Sequence, residues 1–150
     1  MLRLSRETDY SLLAMMYIAD RSDGRLAYRK EIAAHYSIPR EFLAKVLQKL
    51  TRHGLIKSFR GMQGGYLLAR ALDQISLADV VDAVDGPMAI VECRKGACLC
   101  PQEANCCVKE TLADVQCRIH DLLAGISLAD VRRRASAGRA RLHQVEAPHP

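Results

Sequence analysis

Apolar residues recur at three- and four-residue intervals through the first fifty positions, and the polar residues between them suggest where helices begin and end. Ser5 is suited to cap a helix over about residues 6–20, with Asp9 in its first turn, where the helix dipole favours a carboxylate. Tyr10, Leu13 and Tyr17 fall on one face, widened by Leu12, Met16 and Ala19, so this face is expected to enter the core. Ser22-Asp23-Gly24 reads as a turn. A second short helix over about 28–36 would turn Ile32, Ala33 and Tyr36 inward, although neither Ala27 nor Tyr28 is a capping type. Pro39 suits a helix start. The third helix, about 40–53, buries Leu43, Val46, Leu47 and Leu50, presents Glu41, Lys45, Gln48 and Arg52 outward, and closes at Gly54. Helix, short turn and polar-faced helix is the order of a helix-turn-helix.

The period then shortens. Leu55–Phe59 and Tyr66–Ala69 are β-prone runs joined by Arg60-Gly-Met-Gln-Gly-Gly65, and three glycines in six residues mark a hairpin tip, the wing. The hexapeptide Ile-Ser-Leu-Ala-Asp-Val occurs at 75–80 and again at 126–131, each copy offering a Ser cap with an acid three residues on. Between Asp85-Gly86-Pro87 and Cys107 no apolar period survives, which predicts a loop. From Val108 a helix is expected to about Ala124. Val108, Leu112, Val115, Ile119 and Leu122 step by 4, 3, 4 and 3 along it, the repeat of a coiled-coil seam, although an amphipathic helix packed on its own domain fits equally well. The predicted fold class is mainly α with a small β-wing: a winged helix-turn-helix over 1–70, a cysteine loop and long dimerisation helix over 71–131, and a basic, flexible tail over 132–150.

Composition narrows the class. A chain of 150 residues with 49% hydrophobic and 26% charged positions suits one soluble domain. No apolar run approaches the roughly 20 residues of a membrane span, and Met1–Arg6 lacks the features of a secretion signal. The expected location is cytoplasmic, where clustered thiols stay reduced and more often bind metal than pair. Net charge is +7 over residues 1–70, −6 over 71–130 and +4 over 131–150. A basic front half suggests a polyanionic partner, nucleic acid or membrane surface.

Five cysteines fall within fifteen residues: Cys93, Cys98, Cys100, Cys106 and Cys107. Converging thiolates on pliable backbone suit a metal or cluster. The absence of Cys-x2-Cys counts against a zinc ribbon and a ferredoxin-like site, and spacing alone leaves zinc and iron–sulfur equally open. Cys117, off the seam, reads as a bystander. Gly-x-Ser-x-Gly, P-loop and His-Glu-x-x-His motifs are missing, so no enzyme and no small-molecule substrate is expected.

In sum the chain resembles the IscR/NsrR group of winged-helix iron–sulfur transcriptional regulators. The likeness is carried by Leu2-Arg-Leu-Ser5, Thr8-Asp9-Tyr10, Glu31-Ile-Ala33, Phe42–Leu50 and Gly54-Leu-Ile56. Arg60–Leu68 is its most specific stretch, and Ile75-Ser-Leu77, Val84-Asp85-Gly86, the cysteine loop and Ile126–Val131 follow in order. The resemblance implies a homodimer on a pseudo-palindromic promoter in double-stranded DNA, without membrane attachment. It also implies an iron–sulfur cluster (2Fe-2S or 4Fe-4S) held by three loop cysteines, for which Cys93, Cys100 and Cys106 are the preferred set. A second register uses Cys93 and Cys98 or Cys100 with Cys107, and sets Glu110 where other members have a ligating histidine. Asp9 matches a carboxylate that some members offer from the partner subunit, and Glu110 is the in-chain alternative. Read without the likeness, Asp9 stabilises its own helix start.

For DNA, the expected base and phosphate contacts are Arg40, Lys45 and Gln48 on the recognition helix, with Arg60 and Gln63 on the wing. The resemblance supports Arg60 in particular. One departure concerns Ala44, which stands where some members carry an acidic base-reading residue, so target sequence does not carry over. Two other classes compete: a winged-helix regulator with zinc or redox-active thiols, and a protein-interaction module that does not bind DNA.

Overall fold

The structure is a computed structural model that describes residues 4–21, 25–61, 64–90 and 105–145, of which 138–145 are described in backbone only. Among the described residues six helices and one hairpin follow each other: α1 (Arg6–Asp20), α2 (Arg29–Tyr36), α3 (Arg40–Arg52), β1 (Ile56–Ser58), β2 (Tyr66–Leu68), α4 (Leu77–Asp85), α5 (Lys109–Ala124) and α6 (Leu128–Val145). A short 3-10 turn, Leu72–Gln74, links the hairpin to α4. The mainly helical architecture with a two-stranded wing is the one expected. Among the described residues no helix is long and apolar enough to cross a membrane.

α1 runs through the middle of the fold, against α3, α4 and β2. Its core face differs from the expected one. Thr8, Ser11, Ala14, Met15 and Ile18 are buried, as is Ala19 of the expected face; Tyr10, Leu12, Met16 and Tyr17 pack against the core partly buried, and Leu13 is exposed. Small inward residues let neighbouring helices approach α1 closely. The buried hydroxyls are satisfied, Ser11 by the Glu7 carbonyl one turn back at 2.7 Å and Thr8 by Asp85 at the end of α4 at 2.8 Å. An apolar count therefore favoured the larger flanking side chains.

The third helix follows its pattern closely: Leu43, Val46, Leu47 and Leu50 are buried. It ends in a Schellman motif, in which Leu55 N–H reaches the Leu50 carbonyl and Gly54, at φ +68°, donates to Thr51, both at 3.0 Å. α2 ends the same way, with Ile38 N–H on Ala33 at 3.0 Å, but Ser37 takes the left-handed position at φ +53°.

In the wing, Ile56, Lys57 and Ser58 pair with Leu68, Leu67 and Tyr66. Ala27 adds a bridge to Tyr66, with bonds of 3.0 and 2.9 Å, which fixes where α2 begins relative to the hairpin. Gly65 lies under that bridge, where a Cβ would come within 2.8 Å of Leu26 Cβ.

The two copies of the repeated hexapeptide meet. Ser76 and Ser127 form an antiparallel bridge, Leu77 N–H donating to Ile126 at 2.9 Å and Leu128 N–H to Ile75 at 2.8 Å. Each Ser caps its own helix and receives its Asp three residues on, Asp79 or Asp130, as a reciprocal capping box. The clasp holds the start of α6 to the start of α4 and buries Ile75 and Leu128 completely. It also launches α6 through residues expected to be an irregular tail. Arg132–Val145 are helical, because the cap nucleates a stretch rich in Ala and Arg, both good helix formers.

Candidate nucleic-acid interface and cysteine segment

One edge of the fold gathers the basic residues. Arg40 opens α3, and it, Lys45 and Gln48 are exposed on the face opposite the buried leucines. Arg60 is exposed at the near end of the wing tip; Gln63 lies outside the described residues. Between α2 and the wing runs an open cleft of about 780 Å³, lined among others by Arg29, Lys30, Arg60 and Gly64. Lys30 also lines a smaller hollow, of about 310 Å³, shared with Ser37, Pro39 and Arg40. Arg60, Arg29, Lys30 and Arg40 thus border two adjoining hollows beside the recognition helix. The positive end of the α2 dipole adds to their attraction for phosphate.

Arg29 and Lys30 were not among the expected contacts. Their helix start carries no Ser, Thr, Asp or Asn cap, Glu31 instead accepting from the Tyr28 N–H at 3.5 Å, and only the Ala27–Tyr66 bridge reveals that they stand beside the wing. A basic pair opening the first helix of a helix-turn-helix was the signal available. Ala44 is half-buried on α3.

The cysteine stretch falls mostly outside the described residues, including Cys93, Cys98 and Cys100. Cys106, half-buried, and Cys107, exposed, immediately precede α5, whose N-cap is Val108. Negative charge gathered at that helix end is favoured by the dipole. Glu110 is exposed in the first turn of α5, and Asp9 is exposed on α1. Among the described residues no three His, Cys, Asp or Glu side chains converge as a metal site. Cys106 and Cys107 suit a thiolate-bound group chemically, but further donors must come from the loop or from another subunit. Cys117 is exposed.

α5 has two unlike sides. Leu112 and Ile119 are half-buried, and the Asp82–His120 contact at 3.2 Å and the Gln116–Ile90 N–H bond at 3.3 Å tie the helix to α4 and to the chain beyond it. Val108, Val115 and Leu122, seven residues apart, stay 51%, 39% and 66% exposed. The expected seam is therefore half covered within the chain, and a stripe of three apolar side chains faces outward.

A helix-turn-helix with a wing and a basic edge beside the recognition helix defines a DNA-binding transcriptional regulator. Comparison with known proteins agrees. The Rrf2 family, "Iron-dependent Transcriptional regulator", matches residues 4–134, and the chain belongs to that family. Protein aau3 of Rhizobium meliloti (strain 1021) is 34% identical over 131 residues, 87% of this chain and 84% of that protein. IscR of T. potens superposes with a TM-score of 0.68 at 27% identity, covering 89% of this chain and 88% of that one. CymR (YrzC), the global cysteine regulator of B. subtilis, shares the fold with a TM-score of 0.68 at 24% identity, covering 87% and 96%. Regulators of this family bind DNA and are typically dimeric. The relatives are regulators rather than enzymes, and so is this protein.

Proposed function

We propose that the protein is a homodimeric repressor whose hold on a pseudo-palindromic promoter is set by an iron–sulfur cluster, 2Fe-2S or 4Fe-4S, in the Cys93–Cys107 segment. The observation that carries this reading is the continuity of that segment with α5. Its last two cysteines lead directly into a helix whose exposed stripe of Val108, Val115 and Leu122 needs a partner. Two copies joined along α5 would present two recognition helices to inverted half-sites, and whatever the cysteines hold sits at the base of the joint.

Cys93, Cys100 and Cys106 are the proposed thiolate ligands, with Cys98 and Cys107 in reserve. Asp9 of the partner subunit, or Glu110 in the chain, is proposed as the fourth. A cluster supplies a redox- and iron-sensitive charge centre when bound. The chain's own part is to couple loop order to dimer geometry, and a ligand shifts that geometry only by its differential affinity for the two arrangements. Arg40, Lys45, Gln48, Arg60 and Gln63 are the proposed DNA contacts, and the cytoplasm the place of action.

The test is anaerobic isolation with iron, zinc and acid-labile sulfide counts, followed by promoter binding before and after chelation. Iron and sulfide in the purified protein, and a shift in affinity lost on replacing Cys93, Cys100 or Cys106 with Ala, are expected. A colourless protein without sulfide after reconstitution, or one holding zinc, would overturn the cluster.

A further inference from the structure

Lys49 is a basic residue on the recognition helix that does not join the DNA-facing row. It lies one turn after Lys45, but its side chain turns inward between α1 and α4. Its ammonium pairs with the Glu7 carboxylate of α1 and donates to the Val84 carbonyl at 2.7 Å. Val84 belongs to the last turn of α4, where main-chain carbonyls lack helical partners and a cation is favoured. The next residue, Asp85, accepts from the Ser5 hydroxyl at 2.5 Å and the Thr8 hydroxyl at 2.8 Å, binding the same helix end to the N-terminus of α1. Beyond it the chain turns at Gly86, φ +81°, towards the cysteine segment.

We propose that Lys49 is a positioning residue for DNA reading. It sets the angle of α3 by gripping the C-terminal end of α4, so that the root of the cysteine segment and the recognition helix move as one unit. This extends the DNA-binding role and touches the cluster reading only where the segment's state is concerned. The Glu7 carboxylate of α1 and the Val84 carbonyl of α4 meet at the Lys49 ammonium, one residue from the Asp85 carboxylate that holds Ser5 and Thr8. A rotation of α4's last turn therefore reaches α3 directly, without passing through the leucine core.

The full-length protein tests this with Lys49→Met, which keeps the stem and removes the ammonium, and Lys49→Arg, which keeps the charge. Affinity for the promoter duplex and for an unrelated duplex is measured across salt, below the unfolding temperature of each variant. Lys49→Met is expected to lower promoter affinity about tenfold, leave unrelated DNA unchanged and keep the wild-type salt slope, with Lys49→Arg restoring most of the loss. Combining Lys49→Met with Asp85→Asn is expected to add little, because both act on one helix end.

A salt slope reduced by about 0.9 for each Lys49 removed would make the residue a phosphate contact and overturn the proposal. Unchanged promoter preference would overturn it too, as would fully additive losses in the double variant. Should chelation leave the wild-type promoter affinity unaltered, the cluster reading fails by itself, and the specificity of Lys49→Met still decides this inference.

Discussion

Replacing Arg29 and Lys30 together with Gln should weaken DNA binding by a fixed electrostatic amount whatever the DNA sequence. Both side chains are exposed in the first turn of α2, neither is ion-paired among the described residues, and the Ala27–Tyr66 bridge holds them beside Arg60. In a dimer the change removes four cations. If each neutralises one phosphate, the slope of log affinity against log salt becomes shallower by about 3.6. Between 50 and 200 mM salt the gap between wild type and variant should then close by about a hundredfold. Fluorescence anisotropy on promoter and unrelated duplexes over that salt range measures it, with Arg118→Gln on α5 as the charge control. Arg118 pairs with Asp114 at 2.9 Å, away from this edge, and should leave the slope alone. A double variant within one slope unit of wild type, or one that loses promoter binding only, would refute the assignment of these residues to the phosphate backbone.

Two other outcomes follow from the same architecture. Leu122→Glu places a charge on the most exposed member of the α5 stripe, so the fold should persist by circular dichroism while sedimentation shows a monomer. Affinity for a two-half-site duplex should fall about a hundredfold or more, with a single half-site unaffected, and an intact dimer would show that the stripe is not the joint. Ser127→Ala removes the side-chain cap of α6 while leaving the main-chain bonds of the clasp, costing about 1 kcal/mol and lowering the melting temperature by roughly 2–4 °C. Hydrogen bonds from Ser127 hold the Asp130 carboxyl below its ordinary value of 3.8. That contribution is present above the ordinary value and is lost as pH falls through the lowered one. The deficit of Ser127→Ala should therefore be full at neutral pH and shrink in acid, and an equal deficit at pH 3 would exclude the Ser127–Asp130 link.

The sequence revealed most where one physical factor dominated. α3 has a single buried face and a single wet one, so its four core residues and its exposed polar row could both be read from spacing. α1 misled because it is enclosed on several sides, where Thr8 and Ser11 serve better than leucine and inward direction no longer follows hydrophobicity. The tail misled for the opposite reason: Arg132–Val145 shows no sustained apolar face, and helix formation there rests on capping and propensity. The basic edge was half legible. Arg40 and Arg60 stand at marked positions, but Arg29 and Lys30 gain their meaning from one β-bridge between residues 39 apart in sequence.

The repeated hexapeptide carries the wider lesson. Read locally, each copy is a helix start, and that reading holds. Its second role appears only when the copies pair across fifty residues, because the same extended Ile-Ser that leads into a capped helix also leaves an N–H and a carbonyl free for its twin. The clasp and the Lys49 junction thereby fasten opposite ends of α4, one to the junction of α5, the helix proposed for the dimer, with α6, the other to α3, the helix proposed to read DNA. A nine-residue helix held in this way is too short to bend, so a displacement imposed at either end must appear at the other as a rotation or slide of the whole element. On that argument, mutations along the exposed face of α4 should leave coupling intact, whereas loss of either fastening should uncouple dimer geometry from DNA reading.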